Sequence, residues 1–212
     1  MNLKDKTIVI TGGATGIGSA TAIYCAKHGA RIVVGDLNVD EGNKTVQSII
    51  ESGGEAYCLP LDISQEDEVH NFMTSSEKQL GHIDVLINPA GILQGSLVPI
   101  EEFDLSTWNS VINVNQKGTF LAVKHVVPIM KKKGKGVILL IASGAGVAGG
   151  SSSVAYGSSK GGVHGLKMSL ERQLAQHNIR INDVCPSSIN TPLKLGVIQQ
   201  QVARIGKAAN EK

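Results

Sequence analysis

The chain has 212 residues, enough for one domain with a sizeable core, and 42% of them are hydrophobic against 18% charged. A formal net charge of +2, spread along the chain, argues against a nucleic-acid surface, and three dispersed cysteines (Cys25, Cys58, Cys185) argue against a disulfide framework or a zinc site. Aromatic residues make up only 3% while glycines number 25, so the core must be built from Val, Ile, Leu and Ala, as in a parallel sheet covered by helices.

In chain order, 6–11 is a β-branched run stopped by glycines and reads as a buried strand. A helix is predicted over 16–28, closed by Gly29, then a strand over 31–35 and a helix over 39–51 ended by Ser52-Gly53-Gly54. A third strand covers 56–61. Ser64, with Asp67 three residues on, reads as the cap of a helix running to Leu80. The fourth strand is 83–88, followed by a long helical stretch over about 105–133. The lysines at 131–133 and Gly134 read as its C-terminus, cations on the negative end of the dipole followed by a glycine cap. A fifth strand covers 136–142, a small-residue loop 143–153, a helix 154–177 and a sixth strand 179–185. From Thr191, Ile198, Val202 and Ile205 recur at helical spacing before the chain turns polar.

Strand and helix alternate without a strand-only block. That rhythm predicts an α/β doubly wound parallel sheet, the Rossmann arrangement, with helices on both faces. No linker interrupts 1–212, which reads as a single domain with 191–212 as a short substrate-loop or helical tail. The six histidines never fall three or four apart, so a paired metal site on a helix is not expected. The N-terminus enters a strand without a signal-peptide apolar region, and the longest apolar stretch, 137–150, is too short and glycine-rich to span a bilayer. A cytoplasmic protein without a membrane partner is expected.

Gly12, Gly16 and Gly18 sit where the first strand turns into the first helix. Missing side chains there let a backbone approach a pyrophosphate, whose charge suits a helix N-terminus. Asp36 ends the second strand, roughly 20 residues on, where a carboxylate can accept from ribose hydroxyls. It would repel a 2′-phosphate, and neither Ala14 nor Leu37 offers a cation to hold one, so NAD is favoured over NADP.

Tyr156 and Lys160 lie four apart on a predicted helix and share a face. A tyrosine titrates near pH 10, and a neighbouring ammonium would lower that value by favouring the phenolate. Ser143 ends the fifth strand, at the sheet end where open parallel sheets bind ligands. Its hydroxyl could bond a carbonyl oxygen while the tyrosine protonates it.

The ordered set Thr11-Gly12, Gly16-Ile17-Gly18, Asp36, Asp62, Asn88-x-Ala90-Gly91, Asn115, Ser143, Tyr156-x-x-x-Lys160 and Cys185-Pro186 resembles the short-chain dehydrogenase/reductase family over about 4–193. The resemblance implies an oxidoreductase moving a hydride between a nicotinamide and a secondary alcohol or ketone. It implies Tyr156 as acid/base, Lys160 on the nicotinamide ribose, Ser143 on the carbonyl, and Asn115 positioning a water toward Lys160. By the same likeness Asp62 and Ile63 flank the adenine, Asn88, Ala90 and Gly91 lie beside the adenosine ribose, and Ile189 and Thr191 meet the carboxamide. It further implies a homodimer or homotetramer through the two long helices; Gly161, Gly162 and Gly165 could permit close approach there or equally pack on the chain's own sheet.

The sequence departs from the family in three places. Pro89 stands for an asparagine that steadies the sheet, which puts sheet stability in question. Ser187 stands for a glycine and would be strained at a positive φ. Family members continue to a seventh strand, whereas nothing after Cys185 reads as a strand here, so six strands are expected. A truncated, non-catalytic nucleotide-binding or dimerising protein is the alternative function. The substrate pocket is expected near Ile92, Leu93, Val147 and Leu193.

Overall fold

The structure, a computed structural model, describes residues 3–210. The side chains of Gln200 and of 203–210 lie outside that description, Ile205 of the expected apolar stripe among them. Six parallel strands form one sheet: β1 (Thr7–Thr11), β2 (Arg31–Asp36), β3 (Glu55–Pro60), β4 (Val85–Asn88), β5 (Gly136–Ile141) and β6 (Ile179–Val184). Their order is β3-β2-β1-β4-β5-β6, so the winding reverses between β1 and β4. That reversal opens a crevice at the carboxyl ends of these two strands.

The alternation along each strand explains the two layers. Val9, Val33, Leu86, Ile138, Leu140 and Ile181 point to one face, where they bury against α3 (Glu66–Leu80), α5 (Gly118–Lys133) and α7 (Val154–Ala175). Ile8, Ile10, Ile32 and Val34 point to the other, under α1 (Gly16–Lys27) and α2 (Val39–Glu51). Because both faces of β1 are covered, all five of its residues are buried, which is why this strand lacks an exposed alternate.

Four local expectations change. Ser64 does not cap α3: its backbone N–H and hydroxyl both donate to Asp62 Oδ1, at 2.9 and 2.7 Å, and Gln65 occupies the cap position. The long helix is α4 (Leu105–Ile112) joined to α5 by one π-helical turn, Asn113–Lys117. The loop after β5 contains a short helix, α6 (Gly144–Val147), whereas the tail is helical as expected, forming α8 (Pro192–Asn210). Ser187 is not among the positive-φ residues, so the expected strain does not arise.

The lysine run ends α5 as expected, with Gly134 at φ 80° as the cap. Lys133 reaches the foot of the sheet, where its Nζ donates to Asp84 Oδ1 at 2.6 Å. Asp84 also accepts from the Thr7 backbone N–H at 3.1 Å and lies 3.2 Å from His82 Nε2. Burial pushes the Asp84 carboxyl up, but these donors and the charges of Lys133 and His82 outweigh it and hold the group at about 2.

Candidate active site

The first turn after β1 is shaped by what its glycines lack. Gly12 and Gly16 have φ of 61° and 56°, in the left-handed region. A Cβ on Gly12 would sit 2.6 Å from Ala90 Cα, and one on Gly18 would sit 1.9 Å from the Gly12 carbonyl oxygen. The turn therefore packs backbone on backbone, leaving a cleft of about 260 Å³ above it. Gly12, Gly16, Ile17, Gly18, Asp36, Leu37, Asp62, Ile63, Ala90, Gly91 and Thr191 all line it, which brings together most of the residues expected at the dinucleotide. Asp36 closes one end. Its carboxylate accepts from the Ala14 N–H and the Asn38 N–H, both at 3.0 Å, so it also braces the glycine turn.

A second cavity, about 570 Å³, adjoins the first; Ile17, Pro89, Gly91, Thr191 and Leu193 line both. Ser143, Tyr156, Lys160 and Ile189 face this second space. Local sequence explains the convergence. Ser143 caps α6, accepting from the Ala145 N–H at 3.2 Å. A Cβ on Gly146 would lie 2.4 Å from the Gly161 nitrogen, so α6 can press directly onto α7 and bring Ser143 to Tyr156. Ser153 caps α7 by accepting from the Tyr156 N–H at 3.3 Å, which sets the start of the helix that carries the tyrosine.

Lys160 is fully enclosed in protein, and its Nζ donates to the Ile141 carbonyl at 2.6 Å. Burial lowers its pKa to about 8. The Nζ stands 5.9 Å from the centroid of the Tyr156 ring. The sequence leads one to expect a phenol made more acidic by this ammonium. Instead, burial pushes the Tyr156 phenol above its usual value, and only a hydrogen bond from Ser143 opposes the rise. The physical reason is that Lys160 aims its proton at a backbone carbonyl, and a desolvated phenolate is costly.

Asn115 lies in the π-helical turn and is entirely buried. Its Oδ1 accepts from the Ile92 N–H at 2.8 Å, while Nδ2 donates to the Ile92 carbonyl at 2.9 Å and to Ser159 Oγ at 3.0 Å. It lines neither cavity, yet a Cβ on Gly91 would meet Asn115 Oδ1 at 3.1 Å and Lys160 Nζ at 3.5 Å. The extra residue of the π turn fits because Gly162 leaves room: a Cβ there would lie 2.4 Å from Gln116 Nε2. Gly161 and Gly162 thus serve packing inside the chain, while Gly165 has open space beside it.

Asn88 is not brought to the cleft. It is 1% exposed, accepts from Thr11 Oγ1 at 2.7 Å and donates to Thr119 Oγ1 at 2.9 Å. Thr119 in turn donates to the Asn115 carbonyl at 2.6 Å. This buried polar chain ties β1 and β4 to the π turn and steadies the sheet centre beside Pro89. Val147 is half exposed and lines neither cavity, whereas Ile92, Leu93 and Leu193 do line them. Sequence reasoning missed Ser159, whose buried hydroxyl donates to the Tyr156 carbonyl at 2.8 Å and joins it to Asn115. The only signal was a serine beside the lysine, one among many in the stretch. Among the described residues no cluster of His, Cys, Asp or Glu could hold a metal ion, and no helix is long and apolar enough to cross a membrane.

Comparison with known proteins agrees with this geometry. A family model described as short chain dehydrogenase matches residues 6–201. An uncharacterized oxidoreductase, YxbG, of Bacillus subtilis (strain 168) is 37% identical over 212 residues, covering 99% of this chain and 77% of the relative. Xanthoxin dehydrogenase of Arabidopsis thaliana is 36% identical over 201 residues, covering 94% and 70%. Among solved structures, an NAD+-bound xylitol dehydrogenase superimposes with a TM-score of 0.84 at 33% identity, covering 88% of this chain and 71% of that one.

Proposed function

The chain belongs to the short-chain dehydrogenase family, and from that premise we propose that it is an NAD-dependent oxidoreductase of secondary alcohols or ketones with Tyr156 as the acid/base. One observation carries the reading. A cavity lined by Ser143, Tyr156 and Lys160 runs, through Ile17, Gly91 and Thr191, into a glycine-floored cleft that ends at the Asp36 carboxylate.

The residues present fit a dinucleotide. Gly12 and Gly18 leave backbone where a Cβ would collide, and the start of α1 offers N–H groups to a pyrophosphate. Asp36, with no cation at Ala14 or Leu37, favours a free ribose 2′-hydroxyl and hence NAD. A xylitol dehydrogenase of similar structure has been solved with NAD+ bound, which supports the choice. Asp62, Ile63 and Ala90 would border the adenosine half, and Ile189 and Thr191 the carboxamide.

When bound, the nicotinamide supplies or accepts the hydride and, oxidised, adds positive charge beside the phenol. Ser143 would hold the substrate oxygen. Tyr156, whose burial keeps it protonated, is poised to donate to a carbonyl; in the reverse direction it would take the alcohol proton. Lys160 would bond the nicotinamide ribose and, once its Nζ turns from the Ile141 carbonyl, stabilise the phenolate. Asn115 and Ser159 would hold the π turn and α7 in register, with Asn115 placing a water on the path to Lys160. A cytoplasmic homo-oligomer of single-domain subunits completes the reading. Tyr156→Phe is expected to abolish NAD-linked turnover while NAD still binds; undiminished turnover rejects the mechanism.

A further inference from the structure

The second cavity holds a charge that the reaction as proposed does not use. Its walls are largely apolar, formed by Leu93, Ile141, Ala148, Ile189, Leu193 and Val197. Two ammonium groups line it and, among the described residues, no Asp, Glu, Arg or His does. One ammonium is Lys160, committed to the Ile141 carbonyl. The other is Lys194, on the first turn of α8, held at the cavity by its backbone N–H donating to Thr191 Oγ1 at 3.3 Å.

The Lys194 side chain is half buried, and its Nζ donates to the Ser188 hydroxyl. Among the described residues no carboxylate lies within ion-pairing distance of it. The nearest acid along β6, Asp183, does not line the cavity and is taken by His164 Nδ1 at 2.8 Å. An ammonium with three donors and one neutral partner, on an apolar wall without an acid, has unused capacity for an anion.

We propose that Lys194 recognises a carboxylate on the substrate, so that the preferred substrate is an apolar hydroxy or keto acid rather than an uncharged alcohol. This rests on the dehydrogenase reading above and sharpens it. Apolar walls take the carbon skeleton, Ser143 and Tyr156 face the reacting carbon, and Lys194 with Ser188 takes the carboxylate. The charged pairing raises affinity for the acid and excludes cationic alcohols.

The test compares 3- and 5-hydroxyhexanoate with their methyl esters, which share a skeleton and differ in charge. Binding to the NAD-saturated protein is followed by saturation-transfer NMR, and turnover of the same compounds is measured separately. At least one acid is expected to bind about tenfold more tightly than its ester, the size of a charged hydrogen bond in a cleft. In Lys194→Met the ratio should fall to near one, and in Lys194→Glu it should invert; Lys132→Met, on α5 and far from the cavity, should keep the native ratio. Equal binding of acid and ester, binding of neither, or a preference that survives Lys194→Met overturns the proposal. An acid held through Lys194 but never oxidised leaves the anion site standing and rejects the dehydrogenase reading instead.

Discussion

Replacing Lys160 with methionine should remove activity and yet stabilise the ligand-free chain. Lys160 is enclosed by protein, and burial moves its pKa from 10.5 to about 8. Moving a pKa by that much corresponds to roughly 3 kcal/mol, which the folded state loses whenever the group is charged in both states. Methionine fills a similar volume but gives up the hydrogen bond to the Ile141 carbonyl, a loss of about 1 kcal/mol. The net expectation is a gain of about 2 kcal/mol at pH 7. The sign follows from the depressed pKa of a base. Below about 8 the lysine is protonated folded and unfolded alike, and the full destabilisation is present; between about 8 and 10.5 the unfolded chain binds more protons, so the stability of the parent rises with pH. The difference between parent and variant should therefore shrink across that window. Urea unfolding of both proteins from pH 7 to 10.5 measures it. A variant less stable than the parent at pH 7, or a difference that does not change with pH, would refute the reasoning. Such a result would mean that the lysine is solvated or already neutral.

Asp84 makes the opposite case at the other end of the sheet. Its folded pKa of about 2 lies below the ordinary 3.8, so it contributes stability above 3.8 that is lost as pH falls toward 2. Asp84→Asn should cost about 2 kcal/mol at pH 7 in urea unfolding, and the difference from the parent should close in acid. Gly91→Ala puts a Cβ 3.1 Å from Asn115 Oδ1 and 3.5 Å from Lys160 Nζ. NAD-linked turnover should fall about tenfold or more, with a stability loss of only about 1 kcal/mol by thermal unfolding. Asp36→Ser combined with Leu37→Arg should shift the ratio of kcat/KM for NADP over NAD upward by about tenfold or more, because the change removes a repelling charge and supplies a phosphate partner.

Architecture and the inventory of the site are legible in the order of residues along the chain. Alternating β-branched runs and helical segments leave little choice but a parallel sheet covered on both faces, since only two-sided burial explains strands such as Thr7–Thr11 with every residue apolar or buried. Glycines after β1, Asp36, Ser143 and the Tyr156–Lys160 pair were legible because their chemistry depends on position along one strand end or one helix face. Contacts between segments distant in the chain set the rest. The π turn at Asn113–Lys117 could not be read from helical periodicity, because its room comes from Gly162 on another helix. Asn88 resembled a cleft residue until Thr11 and Thr119, distant in sequence, closed around it. For Tyr156 the same reason applies: spacing places an ammonium nearby, but burial and the Ile141 carbonyl, both properties of the assembled sheet, set which way each pKa moves in the ligand-free chain. Local pattern fixes which groups are present; only the folded surroundings fix their solvation and where their hydrogen bonds go.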